Sequence, residues 1–334
     1  MKEPLWPGIR VSITLRLFRV MHLLEMAQAR EAAGHDVIHL EVGEPDFATP
    51  APIVAAGQQA LASGRTRYTP AAGLASLREA IAGHYAEHFN ATVDPARILV
   101  TPGASGALLL ASQLLVENGD RVLMADPNYP CNRHFMALAG AEVDAVSVGR
   151  DSGWQLTAPL IEQHWQAKTR IAMLASPSNP TGHTLDAPAL TKVIDTVAAK
   201  GGDVIVDEIY QGLNYDDAPL SATSLSDDAF VVNSFSKYFG MTGWRLGWLV
   251  APEQAVEPLT RLAQNVFLAA PTPSQHAALA AFTPECRDIL ETRRATLKQR
   301  RQVLLDGLAE LGLAPDLPPQ GGVLSLAGYL PLQP

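Results

Sequence analysis

The sequence predicts an α/β protein: a mostly parallel seven-stranded sheet flanked by helices, with a smaller, incomplete α+β domain beside it. Two observations carry this. Between residues 98 and 250, seven short apolar runs alternate with segments of helical periodicity, the pattern of a sheet covered on both faces. Turns rich in Gly, Pro, Asn and Ser follow those runs, where open α/β sheets carry ligand-binding loops. A chain of 334 residues buries a sizeable core. The expected division is a large domain over 45–286 and a small domain made of 1–44 together with 287–334.

Composition narrows the function classes. Charged residues are 18% and hydrophobic residues 47%, as in globular proteins. The net charge of −9 argues against a general nucleic-acid or membrane-surface binder. Cys131 and Cys286 have no paired spacing, so neither a disulfide framework nor a metal site is expected. No apolar run reaches membrane-spanning length, and the N-terminus lacks the basic-then-apolar layout of a signal peptide. The expectation is a cytoplasmic protein.

In chain order, residues 15–33 carry Leu17, Val20, Met21, Leu24 and Ala27 at helical spacing and end at Gly34, a C-cap residue. Residues 37–40 read as a short strand, and Gly43-Glu44-Pro45-Asp46-Phe47 as a turn before a helix over 52–63. Leu77, Ile81 and Tyr85 mark a further helix. His84 and His88, four apart on it, have a metal-compatible spacing but no third ligand, so a solvated helix face is expected. The strands follow at 98–100, 122–125, 143–148, 170–175, 203–207, 230–232 and 249–250, with helices at 160–166 and 187–200 between them. Helices over 252–265, 274–282 and 287–311 complete the chain.

Chemistry concentrates in the loops after the strands. Lys237 sits among hydroxyls, aromatics and glycines in Asn233-Ser234-Phe235-Ser236-Lys237, with Arg245 eight residues later. A partly desolvated lysine loses proton affinity and becomes a nucleophile toward carbonyls; a lone loop lysine is more often a surface residue. Ser234 and Arg245 suit a phosphate dianion. Gly103, Ala104 and Ser105 turn a strand into a helix whose free N–H groups favour an anion. Asp207 directly follows a buried strand and needs either a cationic partner or a helix N-cap role. Asn179 and Tyr210 offer donors to a phenolate oxygen, and Tyr129 an aromatic face.

Taken together, Ser234-x-x-Lys237…Gly243-x-Arg245-x-Gly247, Ser178-Asn179-Pro180-Thr181-Gly182 and Asp207-Glu208-x-Tyr210 resemble the class I/II aminotransferases, the fold type I group of pyridoxal-phosphate enzymes that includes aspartate aminotransferase. The resemblance runs from about residue 38 to 321. It implies pyridoxal 5'-phosphate held by Lys237 as a Schiff base, with Lys237 also moving the substrate proton. It implies Asp207 against the ring nitrogen, Asn179 and Tyr210 on the ring oxygen, and Tyr129 stacked on the ring. Gly103, Ala104, Ser105, Ser234 and Arg245 would take the phosphate. Tyr68 would reach a neighbouring subunit's phosphate in a homodimer, and the Gly43 backbone with Asn179 would meet the substrate. The implied reaction moves an amino group between an L-amino acid and a 2-oxo acid, with no metal. After Gly321-Gly322 the pattern departs: no residue matches the arginine that forks onto the substrate carboxylate in the family. The expectation is a C-terminally shortened small domain. The alternatives to transamination are a C–S or β-lyase on the same scaffold, or a non-catalytic cofactor binder.

Overall fold

The computed structural model describes residues 19–40 and 42–324. Its centre is a single sheet of seven strands: β1 (Ile98–Thr101), β2 (Arg121–Asp126), β3 (Glu142–Ser147), β4 (Thr169–Ala175), β5 (Asp203–Asp207), β6 (Phe230–Ser234) and β7 (Gly247–Val250). Their spatial order is β1-β7-β6-β5-β4-β2-β3. Neighbours are parallel except for β7, which runs antiparallel to both β1 and β6. That exception has a local cause. β6 and β7 flank the loop bearing Lys237, which contains no α-helix to carry a crossover, and the chain returns antiparallel beside β6.

Alternate side chains go to opposite faces, so every central strand feeds two cores. Val100, Leu123, Leu174, Val206, Val231 and Trp248 pack on one side. Leu99, Met124, Met173, Ile205, Val232 and Leu249 pack on the other. Helices cover both faces: α1 (Arg19–Ala32), α2 (Ala51–Ala62), α3 (Ala75–Phe89), α4 (Gly103–Leu115), α5 (Asn132–Leu138), α6 (Ala158–His164), α7 (Ala187–Ala199), α8 (Glu253–Val266), α9 (Thr272–Ala278) and α10 (Pro284–Glu310). α10 buries only Cys286 and Leu290, both near its start.

Four expectations change. Residues 37–40 form no strand. Ile38 and Leu40 are 83% and 89% exposed, because among the described residues no neighbouring strand offers a ladder. The helix expected over 274–282 divides into α9 and a 3₁₀ turn, Leu279–Phe282. α5, which follows Tyr129-Pro130, was not expected; seven residues are too few to show a helical period. His84 is buried against Phe89, Phe239 and Phe282, so that part of α3 is core rather than solvated face. Leu17 of the N-terminal helix pattern, and the chain after Leu324, lie outside the described residues.

Candidate active site

Tyr129, Asn179, Asp207, Tyr210 and Lys237 meet at one end of the sheet because each lies at or just after the C-terminal end of a parallel strand, β2, β4, β5 or β6. Register does much of this. Asp207, the last residue of β5, pairs with Ala175 on one side and Val232 on the other. Ala175 opens the loop that bears Asn179, and Val232 lies two residues before Ser234. The Ser176 amide donates to the Asp207 carbonyl at 3.0 Å, and Gln211 Nε2 donates to the Ser176 carbonyl at 3.0 Å. The Asn179 loop and the segment carrying Tyr210 are thereby held together.

Lys237 sits in a tight loop. The Gly240 amide donates to its carbonyl at 3.1 Å, the Met241 amide to Phe235 at 3.0 Å, and Thr242 Oγ1 to Ser236 at 2.9 Å. The Lys237 ammonium donates to the Gly43 carbonyl at 2.9 Å and lies 6.0 Å from the Tyr210 ring centroid. Burial lowers its pKa; Glu44 opposes that and Arg245 adds to it.

Asp207 is 6% exposed, and its Oδ1 accepts from the Ile209 amide at 3.0 Å. No cation pairs with it among the described residues, and burial pushes its carboxyl up to about 6. The Tyr210 phenol is raised by burial and by Asp207, with the Asn179 side chain hydrogen-bonded to it. Burial also raises Tyr129, whose neighbours are Cys131, Tyr210 and Asp207, so these side chains share one pocket wall. Cys131 belongs to that wall although its sequence signal, an unpaired cysteine, did not distinguish it.

On the opposite side, Gly103 opens α4 with φ +70, and a Cβ there would stand 2.6 Å from Arg245 Nη2. Gly247 is equally confined: its Cβ would lie 2.7 Å from the Ala104 amide nitrogen. These two glycines let the Arg245 guanidinium and the first N–H groups of α4 converge, an arrangement that could cradle an anion. Ser105 and Arg245 are exposed at its mouth. Ser234 is 1% exposed; its hydroxyl lies 2.9 Å from Ser236 Oγ and 3.1 Å from the Leu246 carbonyl, and accepts from the Ser236 amide at 3.0 Å. Here it braces the lysine loop. Tyr68 stands apart, 84% exposed. No group of His, Cys, Asp and Glu among the described residues could hold a metal ion, and no described helix is long and apolar enough to cross a membrane.

The chain is similar to known proteins in sequence and in fold. The family description "Aminotransferase class I and II" matches residues 35–332. The chain is 38% identical over 298 residues to valine–pyruvate aminotransferase of Mycobacterium tuberculosis, covering 89% of this chain and 76% of that protein. It is 35% identical to (5-formylfuran-3-yl)methyl phosphate transaminase of Methanocaldococcus jannaschii, over 88% of this chain and 77% of the relative. Among solved structures, an aminotransferase from Mycobacterium tuberculosis superposes with a TM-score of 0.90 at 36% identity, over 95% of this chain and 82% of the other. Aspartate aminotransferase from Thermus thermophilus with maleate superposes at 0.87 and 28% identity, over 93% and 81%. With the family description matched over residues 35–332 and relatives 35–38% identical over most of its length, the chain belongs to the class I and II aminotransferases, enzymes that move amino groups between amino acids and keto acids.

Proposed function

We propose that the cleft at the end of β2, β4, β5 and β6 binds pyridoxal 5'-phosphate and transfers the amino group of an L-amino acid to a 2-oxo acid. The observation that carries this is Asp207: a buried carboxyl with no cationic partner among the described residues, in the same pocket as Tyr210 and a desolvated lysine. Leaving a carboxylate so buried is costly unless a cation arrives. The protonated ring nitrogen of this cofactor is such a cation, and the anion cradle at Gly103 and Arg245 fits its phosphate. When bound, pyridoxal phosphate supplies an aldehyde that condenses with amines and a ring that takes up electron density released at Cα.

The chain's own residues do the rest. Lys237 supplies the amine that holds the cofactor; once freed by substrate, that amine takes the proton from the substrate Cα and passes it to the cofactor carbon C4′, on the far side of the amino nitrogen. Its lowered pKa keeps more of it neutral for both tasks. Asp207 holds the proton on the ring nitrogen. Asn179 and Tyr210 donate to the ring oxygen, and Tyr129 covers one face of the ring and keeps water out. Gly103, Ala104, Ser105 and Arg245 take the phosphate, with Ser234 beneath them. The Gly43 backbone and Asn179 face the substrate. The exposure of Tyr68 supports a homodimer in which it reaches the partner's phosphate. The exposed length of α10 supports a division into a large domain over 45–286 and a small domain from 1–44 and 287–334. Absence of a spanning helix among the described residues supports a cytoplasmic enzyme.

The test is a visible absorbance titration of the protein with pyridoxal phosphate, followed by L-valine, L-arginine and L-aspartate with pyruvate or 2-oxoglutarate. A visible absorbance band that Lys237→Ala abolishes, and that one of these amino acids discharges, is expected. A wild-type protein that develops no band would refute the reading.

A further inference from the structure

The segment that carries Gly43 belongs to no helix or strand, and the chain becomes regular only at α2. It is held at three points. At one end the Gly43 carbonyl accepts from Lys237. At the other, Thr49 Oγ1 donates to the Gly240 carbonyl at 2.9 Å and accepts from Trp244 Nε1 at 3.0 Å. Between them Phe47 lies against α10, where the guanidinium carbons of Arg293 and Arg300 each stand 5.2 Å from its ring centroid. Those two residues are seven apart, two turns of one helix.

The space enclosed by Pro45, Phe47, Lys237, Gly240 and Arg293 is about 10 Å³. That is room for about one water molecule, not an amino acid. The Nη1 atom of Arg293 is buried beside this space without a hydrogen-bond partner among the described residues. The Phe47 ring is the group placed to receive its charge. Arg300 also donates to Asp46 at 2.6 Å, but those side chains are 52% and 67% exposed. An ion pair so exposed contributes little. Cation–ring attraction strengthens as the cation loses water, and burial lowers the pKa of Arg293, as expected of a desolvated guanidinium.

We propose that Phe47, held by the part-buried Arg293 and more weakly by the exposed Arg300, is a positioning residue that ties the Gly43 segment to α10. Through it α10 sets where the Gly43 backbone stands over Lys237, and so how tightly the amino-acid substrate is captured. The proposal rests on the reading of Lys237 as the reactive amine. Its signature is a change in substrate capture that leaves the cofactor alone, since none of the three side chains lines the anion cradle.

The experiment compares Phe47→Leu, Phe47→Tyr and the pair Arg293→Met with Arg300→Met, using whichever of L-valine, L-arginine or L-aspartate turns over fastest. Phe47→Leu keeps apolar bulk but loses the ring face; KM is expected to rise about tenfold, with kcat within about twofold and the cofactor titration unchanged. Phe47→Tyr restores the ring and should restore KM. The arginine pair should raise KM as Phe47→Leu does, and adding Phe47→Leu to it should bring no further rise. An unchanged KM in Phe47→Leu, or effects that simply add, would overturn the proposal. Should Phe47→Leu fail to fold, the arginine pair alone decides, by the same KM criterion. A wild-type protein without a cofactor band strikes instead at the reading of Lys237, an outcome separate from any change in KM.

Discussion

Arg245 and Gly103 are so close that a methyl group on the glycine would stand 2.6 Å from the Arg245 Nη2. The glycine also holds φ at +70, a conformation that costs an L side chain about 1–2 kcal/mol. Gly103→Ala is therefore expected to push the guanidinium out of the cradle. Cofactor affinity should fall at least about tenfold, read by titrating the absorbance band, because a charge-assisted phosphate contact is weakened.

Asp207 sets stability against activity. Its folded pKa of about 6 lies above the ordinary 3.8, so the cofactor-free fold binds the extra proton. That stabilisation is complete below 3.8 and lost as pH rises through 6. At pH 7, Asp207→Asn is expected to raise the stability of the cofactor-free protein by up to about 3 kcal/mol, measured by urea denaturation. The same substitution should cut turnover by at least about a hundredfold, since the ring nitrogen loses its anionic partner.

His84 has the opposite sign. Burial among aromatic rings, and then His88 and Arg287, lower its pKa from 6.5 to about 3. The folded chain thus binds fewer protons than the unfolded chain, and stability falls as pH drops from 6.5 toward 3. Between pH 7.5 and 5.0 this accounts for about 2 kcal/mol. His84→Leu should flatten that part of the denaturation profile; an unchanged slope would show that His84 is not the group responsible.

Trp248 and Tyr85 share a hydrogen bond of 3.0 Å, Nε1 to phenol oxygen, beneath the sheet. Both side chains are fully buried. Tyr85→Phe leaves the indole N–H without its acceptor and should cost about 1–3 kcal/mol in denaturation midpoint, with the cofactor titration unaltered.

Much of this protein was legible in its sequence because its signals are local. A run such as Val204-Ile205-Val206 is apolar enough to be a doubly buried strand, and the string around Lys237 contains its own turn, glycines and neighbours. Gly103, Asn179, Asp207, Tyr210 and Arg245 could be named as candidates only through the resemblance to the aminotransferase family, whose motifs are short and contiguous. Sequence also determined the order of strands and helices along the chain, since that order follows from hydrophobic period.

What the tertiary structure decided are the properties that depend on residues far apart in the chain. Residues 37–40 have a strand's composition yet stay exposed, because only a neighbouring ladder makes a strand. His84 has a polar side chain on a helix, and only the approach of Phe239 and Phe282 turned its surface into core. Among the described residues the carboxyl of Asp207 is short of a cation, because register brings Ala175 and Val232 beside it. Phe47 reads as one turn residue among several until α10, nearly 250 positions later, places Arg293 and Arg300 against its ring. Period and turn chemistry act over a few residues; pairing, burial and charge proximity are set only when distant segments meet.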